Sequence, residues 1–166
     1  QLKGNTMAIV MDVTKIQSVQ QAVDQVLSEW GQIDILVNNA GVASAGSRSS
    51  SGDREIDWDT TFDVNVKGVV HCCNAVIPHM KERRYGKIVS ISSMSGHAPR
   101  RLGGAYAASK AAVLRYSKGL ADELASFNIN VNAICPGAVW TKFQEDGARA
   151  TQQNDPMLSS VDPEQI

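Results

Sequence analysis

Apolar positions along the chain fall into short continuous runs and longer stripes with helical spacing. Two runs, "MAIVMDV" and "IDILVNN", have the apolar character of strands that are buried on both faces, and "KIVSISS" and "NINVNAIC" predict two further strands. Between these runs, apolar residues recur every three or four positions, which predicts helices. The predicted helices cover Ser18–Trp30, Asp57 to about Met80, and Ala105 to about Leu124.

Buried strands that alternate with helices predict an α/β fold with a parallel sheet. In such folds, ligands bind beyond the carboxyl ends of the strands, at a switch point in the strand order. Small and polar residues follow the predicted strands here, in Asp12, "NNAG", "SSMSG" and "PG". The pattern therefore predicts a ligand site at this edge of the sheet. The stretches 44–52 and "MSGHAPRRLGG" are predicted to be loops.

Composition and charge narrow the classes of partner. The chain has 166 residues, 43% hydrophobic and 20% charged, which fits one globular domain. A net charge of −1 gives no electrostatic footprint for nucleic acid or an anionic membrane, and no apolar run approaches the roughly 20 residues that span a bilayer. We therefore expect neither nucleic acid nor a membrane as partner.

Cysteine and histidine positions match no disulfide framework and no metal-ligand spacing. The three cysteines are the adjacent Cys72 and Cys73 and the isolated Cys135, and the three histidines are His71, His79 and His97. We therefore expect reduced thiols, a cytoplasmic protein and no bound metal.

The segment "YAASK" contains a candidate acid/base pair. Tyr106 and Lys110 lie four residues apart on a predicted helix, so their side chains share one face with Cβ atoms roughly 6 Å apart. A phenol is a poor base at neutral pH, and a neighbouring ammonium favours its phenolate form. The spacing alone is weak evidence, because any two side chains on one helix face also satisfy it.

Five motifs in order strengthen this interpretation. They are "NNAG" at 38–41, "NVKG" at 65–68, "ISS" at 91–93, "YAASK" at 106–110 and "PGAVWT" at 136–141. Together they resemble the motifs of the short-chain dehydrogenases/reductases. Ser93 stands thirteen residues before Tyr106, and Asn65 stands forty-one before it, as in that family. The resemblance implies a doubly wound, Rossmann-like sheet and hydride transfer between NAD or NADP and a carbon bearing a hydroxyl or carbonyl group.

The resemblance also implies a role for each matching residue. Tyr106 would be the general acid/base, and Lys110 would favour the phenolate and hold the nicotinamide ribose. Ser93 would polarise the substrate oxygen, and Asn65 would hold a water that connects Lys110 to solvent. The implied cofactor-binding residues are Asp12, Val13, Asn39, Ala40, Gly41, Tyr106, Lys110, Pro136, Gly137, Val139 and Thr141.

Structural alternatives stay open for several of these residues. Asp12 also fits a turn that follows a strand. Asn65 also fits a helix-interior amide whose bonds go to backbone, and Ser92 and Ser95 fit caps or turns.

The printed sequence departs from the family at both ends. The glycine-rich phosphate loop TGxxxGxG, the segment that selects NAD or NADP, and the last strand are absent. We therefore interpret residues 1–166 as a single dinucleotide-binding and catalytic domain that lacks its first strand-helix-strand unit and its last strand. In the family's strand order, two absent strands would separate "MAIVMD" from "DILVNN", so we expect no ladder between these segments.

Two functional hypotheses remain from sequence. The first is an NAD(P)-dependent oxidoreductase that acts on a small alcohol or carbonyl compound and is a dimer or tetramer in its full-length form. The second is a truncated, inactive family member that acts only through subunit association.

Overall fold

The described part of the chain contains three parallel strands and five α-helices, with helices between successive strands. The computed structural model describes residues 5–43, 55–98, 104–137, 139, 141, 145 and 149. The strands are β1 (Ile35–Asn38), β2 (Gly86–Ile91) and β3 (Ile129–Ile134), and they lie in the order β1-β2-β3. The helices are α1 (Ile16–Trp30), α2 (Glu55–Phe62), α3 (Gly68–Arg83), α4 (Met94–His97) and α5 (Gly104–Leu124). The predicted α/β fold with a parallel sheet is confirmed.

The ends of α1 and α5 lie close to their predicted positions. Gly31 ends α1 in the left-handed conformation, with φ +75°, and its N–H donates to the Leu27 carbonyl at 2.8 Å. Glycine is suited to this position because it has no Cβ to oppose a positive φ. A 3-10 turn, Ala125–Phe127, connects α5 to β3.

The long helix predicted from Asp57 is interrupted. A π-helical turn, Asp63–Lys67, joins α2 to α3, and Asn65 at its centre is buried. A π turn inserts one extra residue between hydrogen-bonded partners and therefore rotates the side chains that follow it. The apolar pattern did not indicate this turn.

The strand predicted for "MAIVMDV" is wrong. Residues 5–12 form no strand, and residues 7–12 make no ladder with residues 33–38. Val10 is fully exposed, and Met11 is 40% exposed. A strand is stable when its N–H and C=O groups find partners on a neighbouring chain segment, and the described residues provide no such segment here. The lack of a ladder agrees with the expectation from strand order.

The predicted loop after β2 is also partly wrong. Residues 94–97 form the short helix α4, because Ser93 caps its first turn. The predicted loop 44–52 and residues 99–103 lie outside the described residues.

Helices cover one face of the sheet, and the hydrophobic core lies between them and the strands. The core side chains are Val23, Val69, Cys73, Val76, Ile77, Met80, Ile88, Val113, Leu120, Leu124, Ile129 and Val131. Side chains on a strand alternate between faces, and those on the opposite face are exposed: Ile35 by 62%, Val37 by 55% and Ile134 by 51%. No described helix has the length and apolar character needed to cross a membrane.

Candidate active site

A cleft of about 620 Å³ opens beyond the carboxyl ends of the strands. Its lining residues are Asn39, Gly41, Ile91, Ser92, Ser93, Met94, Ser95, Tyr106, Lys110, Pro136, Gly137, Val139 and Thr141. Most of the residues singled out from the sequence therefore line one cleft. Four others do not line it: Asp12, Val13, Ala40 and Asn65.

Tyr106 and Lys110 lie together on α5, as their spacing predicts. The Lys110 ammonium is 5.7 Å from the centroid of the Tyr106 ring. Only 5% of Lys110 is exposed, and burial lowers the pKa of its ammonium. Its Nζ donates to the Ile91 carbonyl at 2.8 Å. Because an ammonium has three N–H donors, two donors remain for other acceptors in the cleft.

Ser93 lies where β2 ends and α4 begins. Its Oγ accepts a hydrogen bond from the Ser95 N–H at 3.1 Å, which caps α4. This bond uses an oxygen lone pair and leaves the hydroxyl hydrogen for another acceptor. The neighbouring Ser92 is buried, and its Oγ donates to the Lys110 carbonyl at 2.8 Å. Ser92 therefore has a structural role, because this hydrogen bond joins the end of β2 to α5.

The side chain of Asn65 is bonded to two elements around the cleft. Its Oδ1 accepts from the Val42 N–H at 2.8 Å, and its Nδ2 donates to the Val42 carbonyl at 2.9 Å. Nδ2 also donates to Ser109 Oγ at 3.0 Å. Two of these three bonds go to backbone, as expected if Asn65 is a structural amide inside a helix.

The motif "NNAG" divides between the interior and the cleft. Asn38 is buried, and its Nδ2 donates to Ser90 Oγ at 3.1 Å, which fastens β1 to β2. Asn39, Ala40 and Gly41 are exposed. A Cβ on Gly41 would lie 3.3 Å from the Lys110 Nζ and 3.4 Å from Asn65 Oδ1. Gly41 therefore brings this backbone segment close to both side chains.

A thiol is buried beneath the first asparagine of this motif. The Asn38 Nδ2 lies 3.5 Å from the Cys73 Sγ. Burial raises the pKa of Cys73 to about 11. The thiol therefore stays protonated and unreactive at neutral pH.

Gly96 was not identified from sequence as a site residue, yet it sets the packing of two site elements. A Cβ on Gly96 would lie 2.6 Å from the backbone nitrogen of Ala111 and 2.6 Å from the backbone carbon of Lys110. Only a residue without a Cβ allows α4 to approach α5 this closely. Gly96 therefore brings Ser93, at the start of α4, toward Lys110. The glycine at the end of "SSMSG" is the sequence feature that could have identified this position.

The end of β3 joins the cleft through an extension of the sheet. Ser92 N–H donates to the Ile134 carbonyl at 2.8 Å, and Met94 N–H donates to the Pro136 carbonyl at 3.0 Å. These bonds bring Pro136 and the following Gly137 beside α4. Beyond them, Val139 is 58% exposed at the cleft, and Thr141 also lines it.

Asp12 shapes a turn before α1. Its Oδ1 accepts from the Thr14 N–H at 3.0 Å and from the Thr14 hydroxyl at 2.7 Å, and its Oδ2 pairs with the Lys15 ammonium at 3.2 Å. The hydrogen bonds from Thr14, and next that from Lys15, hold the pKa of Asp12 below its usual value. Asp12 therefore forms a turn, as the structural alternative for this residue predicts.

Helix α3 holds Val13 in two ways. The His71 Nδ1 lies 2.8 Å from the Val13 carbonyl oxygen. Because a carbonyl only accepts, Nδ1 carries the proton in this bond. A Cβ on Gly68 would lie 2.8 Å from the Val13 Cγ2, so Val13 packs directly on the helix backbone. Gly68 and His71 follow Asn65 along the chain, so the Asp12–Lys15 turn packs on the helix that begins just after the π turn.

Histidine, cysteine and carboxylate side chains do not cluster as metal ligands within the described ranges of the chain.

The family model for short chain dehydrogenases matches residues 1–152. The chain belongs to this family. It is 39% identical over 159 residues to "3-ketodihydrosphingosine reductase" of Bacteroides thetaiotaomicron, which covers 95% of the chain and 58% of that protein. It is 43% identical over 150 residues to "Oxidoreductase UcpA" of Escherichia coli (strain K12), which covers 90% of the chain and 56% of that protein.

A solved structure supports the same fold. A structure described as NAD+-bound xylitol dehydrogenase matches with a TM-score of 0.82 and 32% identity, over 93% of this chain and 60% of the other. The Rossmann-like class expected from the motifs is therefore confirmed. The chain spans little more than half the length of the curated relatives that it matches.

Proposed function

We propose that this chain carries the reaction centre of an NAD(P)-dependent oxidoreductase. The enzyme transfers a hydride between nicotinamide and the carbon of a secondary alcohol or its carbonyl product. The observation that carries the proposal is one cleft in which Ser93 and Tyr106 stand beside a buried ammonium, that of Lys110, 5.7 Å from the tyrosine ring. The names of the relatives, a reductase, an oxidoreductase and a polyol dehydrogenase, support the same reaction class.

The cleft residues fit the nicotinamide end of the cofactor. Exposed backbone at Asn39 and Gly41 lies next to the two remaining donors of Lys110, which suits a ribose with two hydroxyl groups. Val139 supplies an exposed apolar side chain for a flat ring, and Thr141 supplies a hydroxyl for an amide. The described residues contain no glycine-rich helix start for a pyrophosphate. When bound, the nicotinamide accepts or supplies the hydride.

The protein's own residues handle the proton. In the oxidation direction, the Ser93 hydroxyl donates to the substrate oxygen and orients it, and Tyr106 takes the proton that leaves the substrate hydroxyl. Lys110 holds a positive charge, largely shielded from solvent, 5.7 Å from the centroid of the Tyr106 ring, where it attracts negative charge that develops on that side chain during the transfer. In the reduction direction, Tyr106 returns the proton to the substrate oxygen.

We assign Asn65 to the path that returns this proton to solvent. Asn65 Oδ1 accepts one bond from Val42, and a carbonyl oxygen has a second lone pair. Oδ1 and the Lys110 Nζ both lie beside Gly41, within reach of a short water bridge. The Asp12–Val13 turn is assigned to the adenine end of the cofactor, on the family resemblance.

Domain extent, location and assembly also belong to the proposal. We take residues 1–166 as part of one dinucleotide-binding and catalytic domain. Three free cysteines support a reducing, cytoplasmic location, and the family resemblance supports a homo-oligomer.

The decisive experiment is a cofactor-reduction assay on the complete product of the reading frame that encodes this chain. NAD+ and NADP+ are each offered with polyols, steroid alcohols and 3-hydroxyacyl thioesters. Tyr106→Phe is expected to lower kcat by about 10²–10⁴-fold, because it removes a proton donor and little volume. Its cofactor Kd is expected to stay within about twofold of wild type.

The matched control is Tyr116→Phe on the same helix. Tyr116 is packed against the core outside the cleft, so its variant is expected to keep wild-type kcat. A Tyr106→Phe enzyme that keeps more than about a third of wild-type kcat would remove Tyr106 from the role of acid/base.

A further inference from the structure

Ser109 occupies a buried position between Tyr106 and Lys110. It has no exposed surface, and it does not line the cleft. Its Oγ donates to the Tyr106 carbonyl at 2.7 Å and accepts from the Asn65 Nδ2 at 3.0 Å. A serine on a helix commonly bonds to a carbonyl of its own preceding turn, but this serine also bonds to a second helix.

The direction of each bond in this network is fixed. A serine hydroxyl has one hydrogen, and the carbonyl of Tyr106 can only accept it. The Ser109 oxygen therefore presents a lone pair to Asn65, which must turn its NH₂ group toward it. The other Nδ2 hydrogen goes to the Val42 carbonyl, and Oδ1 receives the Val42 N–H. Ser109 thus favours the same orientation of the Asn65 amide that the two bonds with Val42 require.

The network starts and ends on α5. From the Tyr106 carbonyl it passes through Ser109 and Asn65 to Val42, whose neighbour Gly41 lies against the Lys110 ammonium. The distance between the Gly41 backbone and the ammonium is therefore set partly by a hydroxyl one residue before that lysine. If Asn65 turned its oxygen toward Ser109, both of its bonds with Val42 would be lost, since an N–H would face an NH₂ group.

We propose that Ser109 is a positioning residue for the reaction centre, which holds the Gly41–Val42 segment against Lys110 through the amide of Asn65. This inference rests on the proposed function, because it assigns the segment a part in setting the charge environment of the acid/base tyrosine. Ser109 touches neither substrate nor cofactor, so its effect reaches the reaction only through Asn65 and Lys110.

The first test needs no activity and uses NMR on the same full-length protein. Ser109→Ala is expected to speed hydrogen exchange of the Val42 amide at least tenfold, because that N–H is bonded to the amide that Ser109 orients. The Lys110 titration, followed at its Cε resonance, is expected to move upward, because water enters as Gly41 withdraws. Ser109→Cys keeps a side-chain donor and acceptor, although a thiol forms weaker hydrogen bonds than a hydroxyl, and is expected to fall between alanine and wild type.

Ser117→Ala is the matched control. Ser117 is a second buried serine on α5, and its Oγ has no hydrogen-bond partner among the described residues. Its replacement is expected to leave Val42 exchange and the Lys110 titration unchanged. If Ser109→Ala and Ser117→Ala behave alike in both measurements, Ser109 is not a positioning residue.

The second test is the pH dependence of substrate oxidation. Ser109→Ala is expected to lower kcat by about tenfold, since small misplacements of reacting groups carry penalties up to about 10²-fold, and to displace the midpoint of the pH–rate profile. A fall in thermal stability with an unchanged profile would overturn the inference, because that is the result of a purely structural serine. If wild type shows no dehydrogenase activity, the proposed function fails, while the exchange measurement still decides the place of Ser109 in the network.

Discussion

The hydrogen bonds of the cleft and those of the Asp12–Lys15 turn differ in the sequence separation of their partners. In the cleft, bonds join residues far apart in sequence: Asn65 with Val42 across 23 residues, Ser109 with Asn65 across 44, and Lys110 with Ile91 across 19. These groups are buried or nearly so. In the turn, Asp12 bonds to Thr14 and Lys15, two and three residues away, and the groups are exposed.

This difference predicts how each region responds to substitution. A buried network loses the full cost of an unsatisfied group when one partner is removed. An exposed turn exchanges a lost bond for one with water, so the cost is small. Variants in the cleft should therefore change chemistry and stability strongly, and variants in the turn weakly.

Replacement of Lys110 by methionine is expected to give the largest difference between the regions. Without the ammonium, the phenolate loses its neighbouring charge, so the pH–rate profile of oxidation should move toward higher pH. The kcat at pH 7 should fall about 10²-fold or more, and the cofactor KM should rise because the ribose loses two donors. Steady-state kinetics from pH 6 to 10 measure both. A rise in KM with an unmoved pH profile would leave Lys110 as a cofactor ligand only.

The same substitution tests burial of the Lys110 ammonium through the pH dependence of the free energy of unfolding. Burial lowers the pKa of Lys110 in the folded chain, so the unfolded chain binds this proton more tightly. Its contribution to the free energy of unfolding therefore increases as the pH rises from the folded pKa toward the ordinary value near 10.4. Lys110→Met has no such proton. Urea unfolding should show a smaller increase with pH for the variant, and equal slopes would contradict burial of the charge.

An intermediate effect is expected from Gly96→Ala. The added Cβ meets the backbone of α5 at Lys110 and Ala111, which cannot move aside as a flexible side chain does. We expect a loss of about 1–3 kcal/mol in the free energy of unfolding, together with reduced kcat, because Ser93 is pushed away from Lys110.

Gly119→Ala on α5 is the matched control for Gly96. Among the described residues, a Cβ there would meet only the flexible Arg115 guanidinium, at 3.4 Å. Because alanine is favoured over glycine in a helix interior, this variant should gain about 0.5–1 kcal/mol. Equal losses for both variants would show that the close approach of α4 and α5 is unimportant.

The same contrast explains what the sequence predicts well. The ends of α1 and α5 follow from local signals, such as Gly31 after an amphipathic stripe. The cleft residues follow from motif order, because motifs at strand ends meet at one edge of a parallel sheet. These predictions need no knowledge of individual contacts.

Other features depend on contacts that no local pattern contains. The π turn at Asn65 exists where its amide meets Val42 and Ser109, and neither partner is near it in sequence. The run "MAIVMDV" has the composition of a buried strand but lacks a partner among the described residues. The parts that Gly96 and Ser109 play depend on their contacts with other elements, so they could not be predicted from residue type alone.

The smallest effect is expected for the hydrogen bond between His71 and Val13, which joins the turn to α3. His71→Leu removes the donor, but the Val13 carbonyl is only partly buried and can turn to water, so we expect a loss of about 0.5–1.5 kcal/mol. If the turn contacts the adenine end of the cofactor, the cofactor KM should rise about three- to tenfold while kcat stays unchanged, since each tenfold in affinity corresponds to about 1.4 kcal/mol. His71→Asn is the matched variant, because its Nδ2 lies near the position of the histidine Nδ1 and can donate to the same carbonyl. It should restore most of the wild-type KM. A His71→Leu enzyme with reduced kcat at saturating cofactor would place the turn within the catalytic network and end the distinction between the two regions.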